Sequence, residues 1–136
     1  MKIIITPIFA VLLSACYPVY KTLQPKSYIL VLGESGVPVQ GATVVLVANA
    51  YPYGNEKTRM EVVTNYRGEA RFPSAKEWRV EFMVMHGMEV YYWNWCVSKE
   101  GYETYITHDG SAKEFDRRLT IKLRKGTAAK CPAQHF

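Results

Sequence analysis

From residue 27 onward, apolar and polar positions alternate with period two, in short runs broken by turn signals. Strands are predicted over 28–32, 42–48, 59–63, 69–72, 79–85, 89–98, 102–107 and 118–124. Gly33-Glu34-Ser35-Gly36, Asn65-Tyr66-Arg67-Gly68 and Lys99-Glu100-Gly101 supply the positive φ values and side-chain-to-backbone bonds that tight connections use. One helix of a turn or two is predicted over 74–78, after Pro73 and capped by Ser74. Leu119, Ile121 and Leu123 alternate with Arg118, Thr120, Lys122 and Arg124, as Val80, Phe82 and Val84 do with Arg79 and Glu81. The aliphatic sides are expected inward and the charged sides outward. About seven or eight strands with one wet face each predict an all-β antiparallel two-sheet sandwich over 27–125. Residues 16–26, with Pro18, Pro25 and no periodicity, read as an extended tether, and 126–136 as a polar tail.

Ahead of the sandwich, Met1-Lys2 is a short positive segment followed by 11 apolar-rich residues, 3–13. That is far short of the roughly 20 that cross a bilayer. It reads as a secretory signal, not a membrane span. The stretch ends in Leu13-Ser14-Ala15-Cys16, which resembles the bacterial lipobox. The resemblance implies a diacylglyceryl thioether on Cys16, removal of 1–15 as signal peptide, and a further acyl chain on the freed amine. Two or three chains anchor a protein firmly, at about 0.8 kcal/mol per buried CH₂, where one alone is marginal. The alternative is a chance cysteine in an ordinary apolar leader. Tyr17 stands where an aspartate would retain many lipoproteins in the inner membrane, so the resemblance favours an outer-membrane anchor with the fold facing the periplasm.

Composition sharpens this picture at one point. The chain has 136 residues, 17 Lys plus Arg against 12 Asp plus Glu, and three cysteines. One domain fits that length, and its apolar content excludes disorder, collagen and coiled coil. The charge is spread along the chain, which suits solubility and gives no expectation of nucleic acid. The odd cysteine count is more informative. With Cys16 acylated, two thiols remain for an oxidising compartment, and a Cys96–Cys131 disulfide stapling the tail across the outside of a sheet is the simple pairing. Two free or partly oxidised thiols are the alternative.

Three segments carry a further resemblance. Gly36-Val37-Pro38-Val39-Gln40-Gly41-Ala42-Thr43-Val44, then Thr64-Asn65-Tyr66-Arg67-Gly68-Glu69-Ala70-Arg71-Phe72, then Gly101-Tyr102 are similar to the carboxypeptidase-regulatory-like, transthyretin-type domain. The resemblance implies that Ala42 enters the sandwich, that Gly68 forms a hairpin tip, and that Phe72 enters the core. The run from Trp78 to Ser98 is longer than the simple members carry.

The most unusual local feature is Tyr91-Tyr92-Trp93-Asn94-Trp95-Cys96. Period two puts Tyr91, Trp93, Trp95 and Val97 on one face and Tyr92, Asn94, Cys96 and Ser98 on a more polar one. The first set suits a core. Alternatively Tyr91, Tyr92, Trp93 and Trp95 form a platform for a glycan, peptidoglycan or partner subunit. His86, His108 and His135 lack ligand spacing, so a metal site would need assembly in space with carboxylates. No glycine-flanked serine, phosphate-cradling loop or His-Glu-x-x-His helix is present. Glu69, Glu81 and Glu89 read as solvated strand charges. The basic side of the last strand, Arg117, Arg118, Lys122, Arg124 and Lys125, would either meet anionic headgroups or protect a sheet edge. The expectation is a non-enzymatic envelope lipoprotein without a cofactor, held to the membrane by acyl chains and serving an envelope complex.

Overall fold

The computed structural model describes residues 16–82 and 87–133, and most of the period-two runs within them form strands, the expected strand over 102–107 shrinking to 105–106, with no helix among the described residues. In chain order these are β1 (Cys16–Gln24), β2 (Ser27–Gly33), β3 (Thr43–Tyr51), β4 (Asn55–Val63), β5 (Glu69–Phe72), β6 (Ala75–Phe82), β7 (Val90–Ser98), β8 (Tyr105–Ile106) and β9 (Arg118–Leu123). The expected signal peptide, 1–15, and Val84, His86 and His135 lie outside the described residues.

A three-stranded sheet, β5-β2-β9, and a four-stranded one, β4-β3-β7-β8, enclose one core. Its largest side chains include Ile29 and Val31 from β2, Val44 and Leu46 from β3, Phe72 from β5, Trp93 and Trp95 from β7, and Ile121 and Leu123 from β9. Each of these occupies the alternating inner position of its strand, the pattern a two-sheet sandwich requires. Ala42 and Phe72 are both buried. The pairing is antiparallel throughout except between β2 and β9, which run parallel from Tyr28 beside Arg118 to Gly33 beside Leu123. The antiparallel sandwich expected from the sequence forms, with this one parallel pair within it. Alternation gives the faces of a strand but not its direction relative to a neighbour.

The β4–β5 turn, which crosses from the four-stranded to the three-stranded sheet and so is not the hairpin that the resemblance implies, shows how local chemistry sets this frame. Asn65 Oδ1 accepts from the backbone N–H groups of Arg67 (2.9 Å) and Glu69 (3.0 Å), an Asx-type turn. Gly68 follows at φ 74°, and a Cβ there would lie 2.4 Å from the Val31 carbonyl oxygen. Glycine is required both for the dihedral and for the approach of β2. Thr64 then locks the β2–β3 connection, accepting from the Ala42 N–H and donating to the Val39 carbonyl.

Two expectations fail together at one side of the sandwich. Residues 16–24 are a strand, not a tether, and 75–82 are a strand, not a helical turn followed by a core strand. They pair antiparallel as a separate two-stranded ribbon, with Cys16 opposite Phe82 and Tyr20 opposite Trp78. Pro18 is tolerated because β1 has a single partner, which leaves an edge where a missing N–H costs nothing. Ser74 does not cap a helix; its hydroxyl reaches the Gln24 carbonyl at 3.4 Å. The ribbon's faces are also reversed. Val80 and Phe82 are exposed, at 65% and 52%, whereas Glu81 is buried.

Candidate functional site

Trp93 and Trp95 are core residues. Trp95 meets Phe72 edge-on and stacks on Phe115, both at 5.3 Å between centroids. Its indole N–H donates to the Asp116 carbonyl at 3.0 Å, and that of Trp93 donates to the Leu23 carbonyl at 2.9 Å. Each buried ring thus has its polar handle satisfied. The opposite face of β7 is buried as well, correcting the expectation of a polar outer side. Asn94 accepts from Asp109 N–H and Thr107 Oγ1 and donates to the Asp109 carbonyl. Tyr92 stacks on Tyr51 at 4.9 Å. Tyr91, Tyr92, Trp93 and Trp95 are each at most 6% exposed, which leaves no ring face among them for a glycan or partner.

The Cys96 end of that outer face is covered by the tail. Cys96 and Cys131 form a disulfide with Cα atoms 5.8 Å apart, packed with Val45, Val47 and Ile106 in a small apolar cluster. Arg59 on β4 donates to the Pro132 carbonyl at 2.8 Å, and Thr104 Oγ1 exchanges two bonds with the Ala129 backbone. The tail is therefore laid across the sheet and pinned at three points. Cys16, the third cysteine, is exposed and forms no disulfide.

Where the ribbon meets β7, the charges read from sequence as solvated form a network. Lys21 pairs with the buried Glu81 and also donates to the Glu89 carbonyl. Arg79 bonds Glu77, reaches Glu89 Oε2 at 2.7 Å, and donates to the Tyr91 hydroxyl at 3.0 Å. Lys57 pairs with the second Glu89 oxygen. Hydrogen bonding from Lys57 holds the Glu89 carboxyl below the usual carboxylate range, with Tyr91 and Arg79 helping. Burial raises the Tyr91 hydroxyl. The Lys21 contacts bridge residues 60 and 68 positions apart and the Arg79–Glu89 pair 10, so no short motif announces the network.

A pH dependence follows. Because the folded-state pKa of Glu89 is depressed, the unfolded chain binds more protons near its ordinary value of about 4.3, and stability rises with pH through that range. The contribution of Glu89 is complete above the ordinary value and is lost as pH falls through the lower folded one. Glu89→Gln is expected to flatten the acid limb of thermal stability below about pH 5. Superposable Tm profiles for variant and wild type would contradict the network.

The remaining candidates stay apart. Among the described residues no group of three or more His, Cys, Asp and Glu is placed to hold a metal. His108 lines a cleft of about 310 Å³ with Tyr51, Tyr53 and Asp109, where burial raises the Asp109 carboxyl. Arg117 and Arg118 line a shallow groove of about 870 Å³ on the outer side of the β5-β2-β9 sheet, together with Lys26, Tyr28, Glu69 and Arg71. β9 lies at the edge of that sheet, where exposed Arg118, Thr120 and Lys122 suit edge protection. No helix among the described residues is long and apolar enough to cross a membrane.

No family model, curated protein or solved structure matches the chain.

Proposed function

We propose that the protein is a lipid-anchored, non-enzymatic binding or structural module of the bacterial envelope, held in the outer membrane by acyl chains on Cys16 and facing the periplasm. The observation that carries this reading is the division of the cysteines. Cys96 and Cys131 are joined, as suits an oxidising compartment, while Cys16 remains exposed directly after Leu13-Ser14-Ala15. The anchored part is a stapled sandwich of the kind that serves as a subunit of larger assemblies. Its short motifs around Ala42, Gly68 and Tyr102 support kinship with the carboxypeptidase-regulatory-like, transthyretin-type domain, and its contribution is a binding surface.

Cys16→Ser is expected to abolish incorporation of labelled palmitate and to leave an uncleaved precursor. Continued labelling of that variant overturns the reading. Crosslinking in intact envelopes is expected to recover one specific protein partner, and recovery of none counts against a role as an assembly subunit.

A further inference from the structure

The β1–β6 ribbon is inside out for a water-facing structure. Its face toward the sandwich carries Lys21, Arg79 and Glu81 beside Tyr17 and Val19, and its open face carries Tyr20, Trp78, Val80 and Phe82. Both strands have period two, so the four cross-strand pairs on the open face can be read in order: Cys16 with Phe82, Pro18 with Val80, Tyr20 with Trp78, and Thr22 with Lys76. Tyr20 and Trp78 are in ring contact, with centroids 5.0 Å apart, and Lys76 Nζ lies 5.8 Å from the Tyr20 ring. Tyr20, Trp78, Val80 and Phe82 are 52–70% exposed. A contiguous apolar strip of this kind on a small domain marks a contact surface.

The order of the pairs identifies what covers the strip. From Cys16 outward it passes from an aliphatic and phenyl level, through an indole and a phenol, to a hydroxyl and an ammonium. That is the sequence of environments met on leaving a bilayer, acyl region first, then the interface favoured by Trp and Tyr, then the headgroups. At about 3.3 Å per residue, the Tyr20–Trp78 pair lies roughly 13 Å along the strand from Cys16. With Cys16 part of β1, no slack separates an anchor from the fold.

We propose that the open face of the β1–β6 ribbon is a membrane-docking surface, which enters the lipid interface with its Cys16 end deepest and sets the sandwich at a fixed tilt against the bilayer. This rests on the Cys16 anchor proposed above. A flat-lying ribbon would place all four pairs at one depth, and the gradient along them would then have no counterpart.

The test uses the full-length protein as isolated from membranes and reconstituted into phosphatidylethanolamine–phosphatidylglycerol vesicles whose acyl chains carry bromine, a contact quencher of tryptophan. Of the three tryptophans, Trp93 and Trp95 are buried in the core and Trp78 is 70% exposed. The expected result is a loss of Trp78 emission in brominated relative to plain vesicles, absent in Trp78→Phe. Val80→Asp with Phe82→Asp is expected to keep the acyl chains and vesicle attachment and to lose the quenching. Acylated, vesicle-bound protein with unquenched Trp78 overturns the proposal, and if chemical crosslinking then joins ribbon to ribbon, the occupant is a second copy of the chain. Mass measurement of the same sample separates the two claims. If Cys16 carries no acyl group the anchor is wrong, and quenching of Trp78 on adding vesicles still supports the docking surface while its absence overturns it.

Discussion

Trp95→Ala is expected to destabilise the fold by about 3–5 kcal/mol, the range for truncating a large buried aromatic. Trp95 is 1% exposed, and it holds together parts of the chain that share no strand pairing. Its ring contacts Phe72 of β5 on one side and Phe115 of the 107–117 connection on the other. Its N–H satisfies the Asp116 carbonyl. Truncation leaves a cavity between the sheets and removes the partner of that carbonyl, and both effects act in the same direction. Trp95→Phe keeps a ring in the site but loses the hydrogen bond and part of the packed volume, so its cost is expected between about 1 kcal/mol and the alanine value. Urea denaturation of the two variants measures the pair. A loss under about 1 kcal/mol for Trp95→Ala would show that the β7 rings are not the centre of the core.

Removing the disulfide should have the next largest effect. Cys96 and Cys131 are 35 residues apart in sequence, and closing a loop of that size removes chain entropy from the unfolded state worth about 3–4 kcal/mol. For a domain of this size that corresponds to a fall in Tm of roughly 10–15 °C for the Cys96→Ala, Cys131→Ala double variant. A second readout reports the tail itself. Without the covalent pin, the contacts from Arg59 and Thr104 are left to hold residues 129–132, and limited proteolysis is expected to remove the tail before the sandwich is cut. Equal Tm values with and without reductant would contradict the staple.

The β5-β2-β9 sheet was legible because its strands are half-buried and alternate cleanly. Leu119, Ile121 and Leu123 face inward as their pattern requires, and the β4–β5 turn is written in Asn65 and Gly68. The cysteine division was legible from parity. The ribbon was not, because period two says that Val80 and Phe82 share a face without saying which face is wet. The charges decide it, since Glu81 finds Lys21 and Arg79 finds Glu89 on the sandwich side. None of those pairings can be read before the fold exists. The same limit hid the burial of Tyr92 against Tyr51, of Asn94 under the 107–110 connection, and of Cys96 under a tail arriving 35 residues later. Phe115, in a connection outside any strand, gave no periodic signal at all, yet it completes the aromatic core.

The central claim is that one cysteine anchors the chain in a membrane while the other two close its fold. The most direct measurement is the intact mass, with N-terminal peptide mapping, of the protein extracted from envelopes without reductant. The expected result is a chain beginning at Cys16, heavier by its acyl groups and lighter by the two hydrogens of a Cys96–Cys131 disulfide. A chain that retains residues 1–15, or that begins at Cys16 with a bare thiol, would contradict it.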